Sequence, residues 1–81
     1  MDEVRENLEI LRGLAQTWND NYEVAALGWR DQRMERHISD MWAAELEKIQ
    51  VKLVTLEGLE APKPGETGLS QLSVIEGLLA Q

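Results

Sequence analysis

The side chains able to do chemistry are few, and most of them fall in one short stretch. His37 is the single histidine, with Ser39 and Asp40 close behind it. A hydrolytic centre needs a histidine within hydrogen-bond reach of a nucleophile and of an orienting carboxylate. On a helix, Ser39 and Asp40 diverge from His37 by roughly 160° and 60°. No triad follows, and His37 reads as a solvated or ion-pairing residue. Arg30, Arg33 and Arg36 join His37 in the one basic cluster. Arg30, Arg33 and His37 share a helix face and could meet phosphates. Yet Asp31, Glu35 and Asp40 are interleaved, so the stretch from Trp29 to Asp40 is formally neutral. Ion pairs along a solvated helix are the better account, and direct nucleic-acid binding is not expected.

A carboxylate-bridged metal pair on a helical bundle needs a Glu-x-x-His motif with both side chains turned inward. Here Glu45 is followed by Lys48, and Met34 precedes His37 by three. The motif is missing. Glu45 nevertheless falls within an apolar stripe and is the carboxylate to examine for burial. Its simplest role is a stripe-edge residue paired with Lys48 or Lys52. There is no cysteine, so no disulfide and no thiolate metal site. No glycine-rich phosphate loop, zinc-protease motif or nucleophile elbow is present. No cofactor or metal is expected, and the chain does not read as an enzyme.

The elements that carry these residues follow from apolar spacing. Residues 2–18 predict a first helix, with Val4, Leu8, Leu11, Ala15 and Trp18 at steps of four and three. Ile10 and Leu14 widen that stripe. Asn19-Asp20-Asn21 predicts a break, because Asn and Asp side chains compete for backbone hydrogen bonds. So short a connection predicts antiparallel neighbours. A long second helix is expected over residues 22–58, with Gly28 or Ser39-Asp40 as its weak points. Gly58 is a candidate C-cap, and residues 61–68, with Pro62, Pro64, Gly65 and Gly68, form a linker. A short helix follows over residues 69–81, with Thr67 or Ser70 as its cap and Leu72, Ile75 and Leu79 on one side. The fold class is all-α: an antiparallel helical hairpin with a long second helix, a Pro/Gly linker and a short C-terminal helix.

The second helix is apolar on two faces. Leu27, Met34, Ile38, Met41, Ile49 and Leu56 gather on one side, and Tyr22, Ala25, Ala26 and Trp29 nearly opposite. The first helix can cover one of them. The other needs the C-terminal segment, a second copy or another protein. Trp, Tyr and Arg dominate binding hot spots, which marks Tyr22, Trp29, Arg33 and Arg36 as partner-binding candidates. Trp42, Leu46, Ile49, Leu53 and Leu56 are the candidates for self-association, with a dimer favoured.

The net charge is −7 over 81 residues. An acidic chain favours basic partner surfaces over nucleic acid. The acidic N-terminus lacks the pattern of a signal peptide, and no apolar run would span a bilayer. A soluble, cytoplasmic protein is expected. The profile (small, acidic, cysteine-free, helical) resembles that of accessory and phage-encoded inhibitor proteins. That resemblance implies a second role, the occupation of a basic or nucleic-acid-binding groove on a target protein. The leading expectation is a non-enzymatic protein–protein interaction module that self-associates through its long helix.

Overall fold

The structure, a computed structural model, describes residues 2–26, 32–50 and 58–81. Those residues form three helices, α1 (Asp2–Ala26), α2 (Gln32–Gln50) and α3 (Leu69–Leu79), and no strand. The all-α class is therefore observed, but its lengths are not those expected. At 25 residues α1 is the longest described helix, and α2 has 19. Among the described residues α1 packs against both α2 and α3, while α2 and α3 do not approach each other closely. The first helix, not the second, is the hub. Gly28, Leu53 and Leu56 lie outside the described residues, and α2 runs through Ser39-Asp40 without a break.

The expected break at Asn19-Asp20-Asn21 is absent, because α1 continues through all three residues. The reason lies in tertiary partners. Asn19 Oδ1 accepts the Gly68 N–H at 2.7 Å, and Asn21 is buried. Here Asn19 is committed to a distant segment instead of competing with its own backbone, the competition that makes Asn a poor helix former.

The core forms as the α1 stripe predicts. Leu8, Leu11, Leu14, Ala15 and Trp18 are buried, with Val4 packed against them. Ile10 is a correction: it is 50% exposed. On α2 the buried stripe is rotated toward the indole. Ile38, Trp42 and Ile49 are buried, whereas Met34 and Met41 are exposed. Trp42 offers the larger apolar area and a donor that finds a buried acceptor, so it takes the inward position.

Residues 58–68 form a strap between α2 and α3. Lys63-Pro64-Gly65-Glu66 closes a turn, with Glu66 N–H donating to Lys63 O at 2.9 Å. Proline fixes the first central φ, and Gly65 takes the positive φ of 94° that the next position demands. Gly58 also has a positive φ, and an added Cβ there would sit 3.0 Å from Val74 Cγ2. Neither Thr67 nor Ser70 caps α3. Its N-cap is Gly68, whose carbonyl accepts from Leu72 N–H at 3.0 Å.

α3 runs antiparallel to α1. Its start is tied to Asn19, and its end is tied to Arg5, which donates to Leu79 O at 2.9 Å. A guanidinium on a terminal carbonyl satisfies an orphan acceptor and complements the helix dipole. Ile75 and Leu79 are buried, with Leu72, Val74 and Leu78 packed beside them. Gly77 is the weak point of this helix, and a Cβ there would meet no atom within 4 Å. Gly77→Ala is therefore expected to stabilise the fold by about 1 kcal/mol. A thermal melt should show a rise of about 4–8 °C. An unchanged or lowered midpoint would contradict the open space at that position.

Candidate interaction surface

Two regions could carry function: the seat of the strap, and the side of α1 and α2 that the strap leaves open. The seat is built from two indoles, a carboxylate and an amide. Trp42 Nε1–H donates to Leu59 O at 2.8 Å, and Trp18 Nε1–H donates to Glu66 O at 2.7 Å. Both rings are fully buried. Glu35 lies between them in effect. It is 3% exposed, and its Oε2 accepts from Tyr22 O–H at 2.9 Å and Gly65 N–H at 3.4 Å. The Tyr22 ring leans on Trp18 with centroids 6.0 Å apart. Strap and helices are thus joined at successive points: Leu59 to Trp42, Gly65 to Glu35, Glu66 to Trp18, and Gly68 to Asn19.

Beside this seat lies a cleft of about 400 Å³ lined by Gln32, Glu35, Arg36, Ser39 and Pro64. Of the four partner-binding candidates, Arg36 lines the cleft and Tyr22 touches one of its lining residues. Tyr22 reaches Glu35 and is half-buried, and Arg36 stands exposed on the cleft wall. Arg33 is exposed, and Trp29 lies outside the described residues. Sequence reasoning passed over Glu35 as one partner in a surface ion-pair series. The signal available was its place three residues before Ile38 and seven before Trp42, on the buried stripe. Glu35→Ala should cost about 1–3 kcal/mol, because the Tyr22 hydroxyl loses its acceptor. Urea denaturation of this variant, Tyr22→Phe and the double variant would show the two losses to be less than additive.

Glu45 is buried, as its place in the stripe suggested, and it pairs with Lys48 at 3.7 Å. Its Oε1 has no hydrogen-bond partner among the described residues. No group of three or more His, Asp or Glu there could hold a metal ion, and His37 is exposed on the outer surface of α2. No helix among the described residues is long and apolar enough to cross a membrane.

The self-association candidates need correction. Trp42 and Ile49 are buried by their own chain, so neither presents surface to a second copy. Leu46 is half-buried, and Leu53 and Leu56 lie outside the described residues. The strap was the missing cover, since a Pro/Gly segment carries no apolar periodicity to announce where it docks.

No protein-family model, curated protein or solved structure matches this chain. Its surface must speak for itself.

That surface is uneven. The side chains that meet the strap and α3 lie on one flank of each buried stripe: Arg5 and Asn19 on α1, Glu35 and Trp42 on α2. On the opposite flanks, at helical phase, stand Ile10 of α1 and Met34 and Met41 of α2. They are 50%, 40% and 43% exposed. Among the described residues these are three of the four large apolar side chains that stand exposed; the fourth, Leu69 at the start of α3, is 61% exposed.

Proposed function

We propose that the protein is a non-enzymatic protein–protein interaction module that self-associates through the open side of an antiparallel α1–α2 pair. The hydrogen bond from Tyr22, near the end of α1, to Glu35, near the start of α2, supports the antiparallel direction. The observation that carries the proposal is the exposure of Ile10, Met34 and Met41 on flanks that neither the strap nor α3 covers. Exposed apolar patches on helices are a recurring mark of association sites, and Met adapts readily to a facing surface. The surface therefore differs from the one its apolar pattern suggested, resting on Met41 in place of Trp42 and Ile49.

Sedimentation equilibrium from micromolar concentration upward tests this reading. A concentration-dependent mass above the 9.2 kDa of one chain is the expected result. Met41→Glu should shift the equilibrium to monomer with helicity unchanged. A single 9.2 kDa species throughout would remove the self-association reading.

The charge of −7 supports a second reading, in which the acidic surface occupies a basic groove on a target protein. Exposed Glu6, Glu9, Asp20, Glu60, Glu66 and Glu76 would supply that field. Competition with nucleic acid for such a target, relieved by salt, is its signature.

A further inference from the structure

The open side carries two ridges with different chemistry. On α1, Glu6, Ile10, Gly13 and Thr17 follow one another at steps of four and three, and all four are exposed. On α2, Met34, His37, Met41, Ala44 and Lys48 do the same, and all five are exposed. These are the steps by which one helix seats along another in a left-handed bundle. The α1 ridge carries a carboxylate and no cation. The α2 ridge carries one ammonium, Lys48, which also pairs with the buried Glu45 beside it at 3.7 Å, together with the imidazole of His37. That contrast stands out in a chain of net charge −7.

Gly13 adds an independent observation. Glycine weakens a helix interior, and among the described residues nothing packs against this one: a Cβ would meet nothing within 4 Å. Thr17 bonds its hydroxyl to Gly13 O at 3.0 Å. Its polar atom is thereby satisfied within the helix, at the edge of the flat step that Gly13 makes.

We propose that two copies of the chain pack open side to open side about a two-fold axis parallel to the helices. The Glu6–Thr17 ridge of α1 in each copy lies along the Met34–Lys48 ridge of α2 in the other. This arrangement rests on the self-association reading above and specifies its geometry. Charge favours one pairing. A two-fold axis across the helices would stack α1 on α1 and α2 on α2 in antiparallel fashion, and would leave Glu6 facing a ridge without a cation. Only the crossed pairing brings the Glu6 carboxylate of one copy toward the Lys48 ammonium of the other, beside the Glu45 that Lys48 already meets at 3.7 Å.

Register follows from the link between Tyr22 and Glu35, which levels the end of α1 with the start of α2. Moving back along α1 and forward along α2 brings Gly13 level with Ala44, and Thr17 close to the level of Met41. Lys48 then falls between Ile10 and Glu6. An axis parallel to the helices preserves these levels between copies. Small Gly13 thus faces small Ala44 where the helices cross most closely. Met41 seats between Gly13 and Thr17, and Lys48 reaches the Glu6 carboxylate. The interface is isologous, as a two-fold dimer requires: each ridge of one copy meets the other ridge of its mate.

The absence of native cysteine makes the test direct. Thr17→Cys and Met41→Cys are prepared as full-length single variants, mixed in equal amounts and oxidised slowly. A disulfide forms readily only where Cα atoms lie about 4–7 Å apart, which discriminates among pairings. The mixed disulfide is expected to exceed either homodisulfide several-fold, and to vanish when Met41→Cys also carries Ala44→Glu. Rapid Met41→Cys homodisulfide would place α2 on α2 and overturn the arrangement. So would dimers by sedimentation that give no mixed disulfide. Those results leave self-association standing, whereas a monomer at every concentration removes both readings together.

Discussion

Trp42→Ala is expected to remove a large share of the fold's stability and to unfold the chain well below the urea concentration the parent withstands. The indole is fully buried, and truncating such a ring costs about 3–5 kcal/mol through lost burial and the cavity left behind. A domain of this length has a total stability of about 4–12 kcal/mol. Deletion also strips the Leu59 carbonyl of the donor that holds it at 2.8 Å. Trp42→Phe separates the two effects, since it keeps most of the apolar surface and loses the N–H. That variant should fold but lose about 1–3 kcal/mol, the cost of an unsatisfied buried acceptor. Circular dichroism with urea titration measures both. If Trp42→Phe matched the parent chain, the indole N–H would not be pinning the strap.

The second large effect is expected at Ile75→Asp. Ile75 is fully buried where α3 meets α1. An unpaired carboxylate cannot remain there, so the helix must leave its seat. An undocked helix of 11 residues does not persist in water, so α3 should melt as well. Helical signal should fall by more than one residue's worth, and the thermal transition should broaden or disappear. A control on the exposed face of the same helix, Ser73→Asp, should leave the melt nearly unchanged. Equal behaviour of the two variants would mean that α3 is not part of the cooperative unit.

Together these outcomes set out how the chain solves the problem of its size. An 81-residue chain without cysteine has no covalent staple. It uses its two described tryptophans as bolts instead. Trp18 and Trp42 each fill core volume with one part of the ring and hold a strap carbonyl with the other. Asn19 and Arg5 then fasten the two ends of α3 along α1. The polar bonds do not supply the burial; they choose which way the apolar surface is covered. With α3 and the strap on one side of α1 and α2, the other side is left to Ile10, Met34 and Met41.

What the order of residues determined by itself was helical periodicity, not where each helix ends or what caps it. Apolar spacing gave an all-helical chain, the α1 stripe through Trp18, and α3 with its buried Ile75 and Leu79. Pro64-Gly65 gave a turn, because a fixed φ followed by a permissive one is a property of two adjacent residues. Helical phase also marked Glu45 as the carboxylate to examine for burial, with Lys48 or Lys52 as its partner; it is buried and meets Lys48. Tertiary structure decided the rest. The asparagines that should end α1 do not, because Asn19 finds a better acceptor role 49 residues away. Ile10, Met34 and Met41 left the core, and Glu35 entered it, once the strap chose its flank. Position along a helix fixes which residues share a face; only the packing of distant segments fixes which face is covered, since apolar burial is blind to direction and hydrogen-bond partners are not.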